Sequence, residues 1–382
     1  MDHSINFKLN YNTLDIPNTV DLCINVDNIM RYLDIELEER LNIAKSKINE
    51  HTFNNRWNKY KKLTNLYETI YLSSKRFEQH RNIANVNPVS RSYFKMIEIA
   101  HEFLMDIISN PASHTRVHFA EGPGGFLEAL IKLRNHTDDR IFGMTLLLHN
   151  KLVPNWSKVT HYQKINPQLE FMIGADGTGD LYNPANYECL KPLYNTAHIV
   201  TGDGGFDFSD DYNAQESVAA KLIFAQIFAA LSVQIIGGTF VCKFFNLNSM
   251  LTIELVYLLV LCYTDIHIFK PLTSRPANSE IYIISKGFKG VSDELLDKLM
   301  KLLKEWGDTN VTNIFKTPLP ADFLEELRVI HSHICEGQIN YIEKTIRLIY
   351  FPYNDEEYKK NIDMQNIAAR EWCKYYKVPM KS

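Results

Sequence analysis

VHFAEGPGGFLEALIKLR, residues Val117–Arg134, is the stretch that decides the fold. Its first third is a short apolar run of strand type, and the middle is a turn carrying Gly122, Gly124 and Gly125. From Phe126 onward the apolar residues recur at helical spacing. Strand, glycine turn and helix in that order make the opening unit of an α/β fold. Outward from it, short apolar runs alternate with helical ones from about 115 to 290. VHFAEG, IFGMTLLL, EFMIGA, HIVTGDGG, GGTFVCKFF, DIHIFKP and EIYIISKGF read as seven strands. FLEALIKLR (126–134) and AAKLIFAQIFAALSVQ (219–234) read as helices between them. The pattern predicts a seven-stranded, mostly parallel sheet covered on both faces. Only the loop PLTSRPANS separates the last two strands, which predicts an antiparallel pair at one end of the sheet.

Residues 1–110 are rich in helix formers and predict a helical region ahead of the core. Residues 291–382 return to helical patterning, in DELLDKLMKLLKEW (293–306) and FLEELRVIHSHI (323–334), and predict a helical extension packed on the core. The chain of 382 residues is 45% hydrophobic and 23% charged, as a globular protein is. A formal net charge of −4 argues against general, charge-driven binding of nucleic acid, so an RNA partner would need a local basic patch. RWNKYKKL (56–63) and SSKRFEQHR (73–81) are the two candidates, with Trp57 and Tyr60 available for base stacking. A solvated helix face explains them equally well. The six cysteines form no CxxC pair and are too scattered for a zinc site or a disulfide framework. The N-terminus lacks the order of a signal peptide. The most apolar run, LTIELVYLLVLCY (251–263), is shorter than the roughly 20 residues that span a bilayer and reads as a buried helix. These features predict an intracellular protein of nucleus or cytoplasm, with no membrane and no metal.

Five motifs could carry chemistry. AEGPGGF (120–126) sits where a ligand could approach the backbone and meet the free N–H groups of a helix N-terminus, although tight packing alone would also favour such a turn. Asp203, in GDGGFDFS (202–209), stands at the carboxyl edge of the sheet, where open α/β folds bind ligands; an Asx turn is the equal alternative. Lys243 lies near the end of an apolar strand, where an ammonium either snorkels out or has carboxylate partners. Glu280 enters the last strand from a loop, and Lys95 lies on a helix whose other face is apolar. Alone, these last two are unremarkable. Together, two lysines and two acids can build a general base. Partial burial and a second cation push a lysine towards the neutral amine, while the carboxylates orient it and stabilise the proton once taken.

At these residues the sequence resembles the FtsJ-like 2′-O-methyltransferases, and among them the mRNA cap 2′-O-methyltransferases of eukaryotes and large DNA viruses. The strings that carry the resemblance are GPGGF (122–126), FGMTL (142–146), GDL (179–181), DGGF (203–206), GGTFVCKFF (237–245) and KPLTSRPANSE (270–280). They span residues 80–290. The resemblance implies a class I, Rossmann-like fold, S-adenosylmethionine as cofactor, and methyl transfer to the ribose 2′-OH of the first transcribed nucleotide of capped RNA. Lys95, Asp203, Lys243 and Glu280 fall on the family's catalytic tetrad, with Lys243 as the base. Ser90, Glu121, Gly122, Pro123, Gly124, Gly125, Phe126, Asp180 and Leu181 fall on cofactor positions. Arg81, Asn213, Gln215, Arg275 and Asn278 fall on substrate positions, Arg275 as a phosphate contact. The family carries an Asp ahead of its glycine turn; here His118 holds that place, and Glu121 is expected to supply the acid. The added regions of the larger cellular enzymes have no counterpart here, which fits a compact viral enzyme working beside other capping enzymes or the transcription machinery. The rival readings are the same chemistry on rRNA or tRNA, and an inactive RNA-binding subunit of the same fold. A dinucleotide-binding oxidoreductase lacks its fingerprint here.

Overall fold

The computed structural model describes residues 5–12, 21–26, 31–52, 55–72, 81–147, 153–206, 211–307 and 311–381. In chain order the strands are β1 (Ile5–Lys8), β2 (Leu22–Asn25), β3 (Thr115–Phe119), β4 (Arg140–Met144), β5 (Leu169–Met172), β6 (Ala197–Gly202), β7 (Gln234–Phe245), β8 (Tyr263–Lys270), β9 (Glu280–Phe288) and β10 (Asn313–Phe315). The helices are α1 (Ile35–Thr52), α2 (Arg56–Tyr60), α3 (Ser92–Ile99), α4 (Met105–Ile108), α5 (Gly125–Leu133), α6 (Gln215–Val233), α7 (Met250–Cys262), α8 (Asp293–Trp306), α9 (Ala321–Tyr350) and α10 (Asp355–Tyr375). A π-helical turn, Ala100–Leu104, joins α3 to α4.

All seven expected strands form and belong to one sheet, which has an eighth. The order is β1-β8-β9-β7-β6-β3-β4-β5. β3, β4, β5, β6 and β7 run parallel. β9 is antiparallel to both its neighbours, β7 and β8. The expected antiparallel pair is therefore present, but it is not the end of the sheet. β1 pairs along β8 and covers its open edge, which removes a row of unpaired backbone groups. So the N-terminal region, expected to be helical, gives one strand to this sheet and another, β2, to a small ladder with β10.

The central strands read as near-continuous apolar runs because helices cover both faces. Val117, Phe119, Val200, Phe240 and Phe244 are buried in that core. By length and composition α6 could cross a bilayer, yet 78% of its apolar window is buried inside the fold. The helices at the two ends of the chain pack on each other, with Leu41, Ile48 and Trp57 against Ile339, Ile342 and Ile349. α10 closes over α3, bringing the Trp372 ring edge-on to Phe94 at 5.8 Å.

Candidate active site

After β3 the chain winds outward through β4 and β5, then returns to place β6 on the other side of β3. Between β3 and β6 the winding direction reverses, and crevices open outside the carboxyl ends of strands at such a point. A cleft of about 950 Å³ lies there. Ala120, Gly122 and Pro123 line it from the end of β3, and Asp203 to Phe206 from the end of β6. Lys243, Phe245 and Glu280 form its far wall.

Strand register brings Lys243 and Glu280 of the tetrad together. Lys243 lies directly opposite Tyr282, and Phe245 opposite Glu280, across the antiparallel β7–β9 pair. Opposite residues share a face, and so do residues two apart on a strand. Lys243, Phe245, Glu280 and Tyr282 therefore all project to one side. α3 brings Lys95 to Glu280, with Nζ 2.6 Å from Oε1 and 2.8 Å from Oε2. Lys243 Nζ donates to the Asp203 carbonyl at 2.7 Å and lies 3.2 Å from its Oδ1. These are two lysine–carboxylate pairs, and all four side chains are 11–15% exposed. Burial pushes the Glu280 carboxyl up, but Lys95, Lys243 and Lys270 outweigh it and hold it at about 2. Glu280 is an anion at any working pH.

Lys270 is a third buried lysine, and sequence reasoning missed it. Its Nζ donates to the carbonyls of Asn278 at 2.6 Å and Glu280 at 2.8 Å. Burial, relieved in part by Glu280, pushes its ammonium down to about 8. The signal that singled out Lys243, a lysine closing an apolar strand, was equally present at Lys270. Ser274 Oγ bonds Glu280 Oε1 at 2.9 Å, and Gln338 Nε2 donates to the Ala277 carbonyl at 3.2 Å. From α3, Glu98 takes the backbone N–H groups of Leu272 and Thr273 at 2.6 and 2.8 Å. Burial pushes Glu98 up to about 7, against the pull of those donors. Arg91, Lys95 and Glu98 are spaced i, i+4, i+7, one face of a helix, and that face holds the 270–280 loop.

The sequence pattern of the FtsJ-like methyltransferase family matches residues 88–288, more than half of the chain and all of this cleft's tetrad. The chain belongs to the FtsJ-like methyltransferase family. Among curated relatives, a mouse protein named cap-specific mRNA (nucleoside-2'-O-)-methyltransferase 1 is 37% identical over 49% of this chain and 23% of its own length. A Drosophila melanogaster protein named cap-specific mRNA (nucleoside-2'-O-)-methyltransferase 2 is 26% identical over 90% of this chain and 50% of its own. A crystal structure of a ribosomal RNA methyltransferase from Plasmodium falciparum covers 53% of this chain and 99% of its own, at 19% identity and a TM-score of 0.39. This chain thus spans half or less of the curated relatives it matches.

For this FtsJ-like methyltransferase the methyl donor is S-adenosylmethionine, and the half of the cleft facing the tetrad suits it. Of the residues expected to contact it, Ser90, Gly122, Pro123, Asp180 and Leu181 line the cleft. Leu181 offers an apolar wall beside the Asp180 carboxylate, which takes the Tyr182 N–H at 2.8 Å and has lone pairs left for hydroxyl donors. Four expected cofactor contacts lie elsewhere. Glu121 is buried behind the turn, with Oε2 3.1 Å from His118 Nδ1 and Oε1 accepting the Thr201 hydroxyl. His118, which stands in the family's Asp position, and Thr201 hold the acid from behind, so Glu121 does not face the cleft. Gly124 has φ +101°, in the left-handed region that favours glycine, and a β-carbon there would meet Val159. A β-carbon on Gly125 would lie 2.1 Å from Ser92 Oγ. Phe126 is buried in the core. These three shape the turn and seat α5.

Of the expected substrate residues, Gln215 and Asn278 line the cleft. Asn213 is exposed outside that lining, with its side chain 3.3 Å from Ser46 Oγ. Arg81 is exposed and also lies outside the lining. Arg275 is not aimed at phosphate: its Nε and Nη2 grip buried Glu68 at 3.0 and 2.7 Å, tying the 270–280 loop to the segment around Glu68. Trp57 is 3% exposed and packs in the core, which removes it as a stacking platform. Lys59 and Tyr60 stay at the surface of α2, and burial pushes Lys61 down to about 8. Residues 73–80 of the second basic segment, and 207–209 of GDGGFDFS, lie outside the described residues.

Gly205 sets the access to Lys243. A β-carbon there would lie 3.1 Å from Lys243 Nζ and 3.2 Å from the Phe245 ring. We expect Gly205→Ala to fold with a melting temperature near that of the wild type. Its turnover should fall about tenfold or more, because a methyl group would crowd the Lys243 amine where the cleft opens onto it. Parallel thermal melts and initial rates check this.

Proposed function

We propose that this chain methylates the ribose 2′-OH of the first transcribed nucleotide of capped RNA, with Lys243 as the general base. The observation that carries the reading is the single cleft in which Gly122, Pro123, Asp180 and Leu181 face Lys243 and Asp203. Donor and acceptor can meet there with the amine alongside. S-adenosylmethionine supplies an electrophilic methyl group when bound. What the chain adds is orientation and proton removal. Lys243 Nζ takes the proton from the hydroxyl, and Asp203 fixes the amine through its carbonyl and Oδ1. Lys95 and Glu280 neutralise one another beside it and keep the wall of the cleft rigid. The cap preference is supported by the names of the relatives and by the KPLTSRPANSE loop. Such a substrate places the work inside a cell, beside other capping enzymes or the transcription machinery.

The test is a competition between capped and uncapped RNA of one sequence, with the methylated nucleotide mapped in the product. The expected result is strong preference for capped RNA and modification at its first nucleotide. Equal methylation of both RNAs would sink the cap assignment and leave the 2′-O chemistry standing.

A further inference from the structure

Tyr282 belongs to none of the motifs that marked the site, yet it is fully buried at its centre. It follows Glu280 by two residues on β9 and lies directly opposite Lys243 on β7, so the pleat turns it to the catalytic face. Its hydroxyl donates to Asp203 Oδ1 at 3.0 Å. The same oxygen lies 3.2 Å from Lys243 Nζ. One carboxylate oxygen thus serves two donors, a phenol and an ammonium. Behind Tyr282 stands Phe126, with ring centroids 5.6 Å apart and planes at 39°. The last residue of the GPGGF string buttresses the tetrad through this ring.

We propose that Tyr282 is a positioning residue of the tetrad, which fixes the Asp203 carboxylate and shares its Oδ1 with Lys243. The proposal rests on Lys243 being the base. A carboxylate held by one partner alone would swing to it and clamp the ammonium. With the phenol in place, Asp203 orients Lys243 without holding its proton too tightly. Beside Asp203, Glu280 on β9 acts on Lys243, and Glu280 is itself flanked by Lys95 on α3 and Lys270 on β8. Tyr282→Phe leaves all of them in place and keeps the ring against Phe126.

The test pairs kinetics with a titration of Lys243 itself. In Tyr282→Phe of the full chain, kcat on capped RNA should fall about tenfold or more, with KM within about twofold of the wild type. The rise of rate with pH should move to higher pH. Reductive 13C-methylation of the lysines, with the Lys243 resonance assigned by Lys243→Arg, should show its deprotonation moving the same way. A purely structural role would change melting temperature or S-adenosylhomocysteine affinity and leave both pH midpoints alone. Unchanged midpoints in the variant overturn the proposal, whatever happens to the rate. A Lys243 titration that shifts in Tyr282→Phe, together with a wild type that methylates no RNA, would uphold the positioning role and overturn the functional reading instead.

Discussion

Replacing Lys243 with alanine should reduce methyl transfer about a thousandfold or more, within the range that general-base catalysis contributes. The fold should survive the change. Lys243 sits on the wall of the cleft, and the Asp203 carboxylate it leaves behind still has the Tyr282 hydroxyl and access to water. Melting temperature and S-adenosylhomocysteine affinity should therefore stay close to those of the wild type. Lys243→Arg should be nearly as inactive, since a guanidinium keeps its proton at any working pH. An alanine variant with an unchanged rate would remove Lys243 as the base and point to one of the other lysines.

The second large effect lies at the opposite edge of the sheet. Asp139 is fully buried, with Oδ2 3.0 Å from Arg116 Nη2 and 2.7 Å from Arg134 Nε. It also takes the backbone N–H of His114 at 2.9 Å. Burial raises the carboxyl, and the two guanidiniums with the N–H donor more than reverse that. Asp139→Ala would strand two buried cations, a change that costs about 3–5 kcal/mol when one partner of such a pair is lost. A urea unfolding midpoint lowered accordingly, with normal turnover per folded molecule, is the expected outcome. Loss of turnover in excess of unfolding would mean that this cluster reaches the cleft. A buried cluster of this kind resembles a site by charge alone, but it sits at the amino ends of the strands, away from where ligands bind.

The sequence disclosed the parts of this fold whose physics is local. Alternating strand and helix patterns located all seven core strands, and the difficulty of burying a lone ammonium left carboxylate partners as one of two outcomes for Lys243, the one the structure shows. What it hid depends on register and packing. Tyr282 could not be placed opposite Lys243 until the pairing of β7 with β9 was known, although its spacing of two from Glu280 already put both on one face. Glu121 looked like a cofactor acid because nothing local reveals that His118 and Thr201 close on it from behind. Trp57, flanked by cations, suggested an exposed stacking ring, but its short helix packs against α9 and buries it. β1 escaped notice although Ile5–Lys8 alternates apolar and polar residues, because the strand is only four residues long and its partner β8 lies at the far end of the core in sequence. Arg275 was taken for a phosphate contact because Glu68, its partner, is about two hundred residues away in the chain.

The face of α3 that holds the 270–280 loop limits how this site can be altered or transplanted. Arg91, Lys95 and Glu98 reach the loop's carbonyl, its carboxylate and its amides in turn. Helix and loop are therefore one interchangeable part made of two distant pieces of sequence. A chimera that imports only the loop from a relative would meet the wrong partners on the helix, whereas one that exchanges both would carry the tetrad's geometry with it.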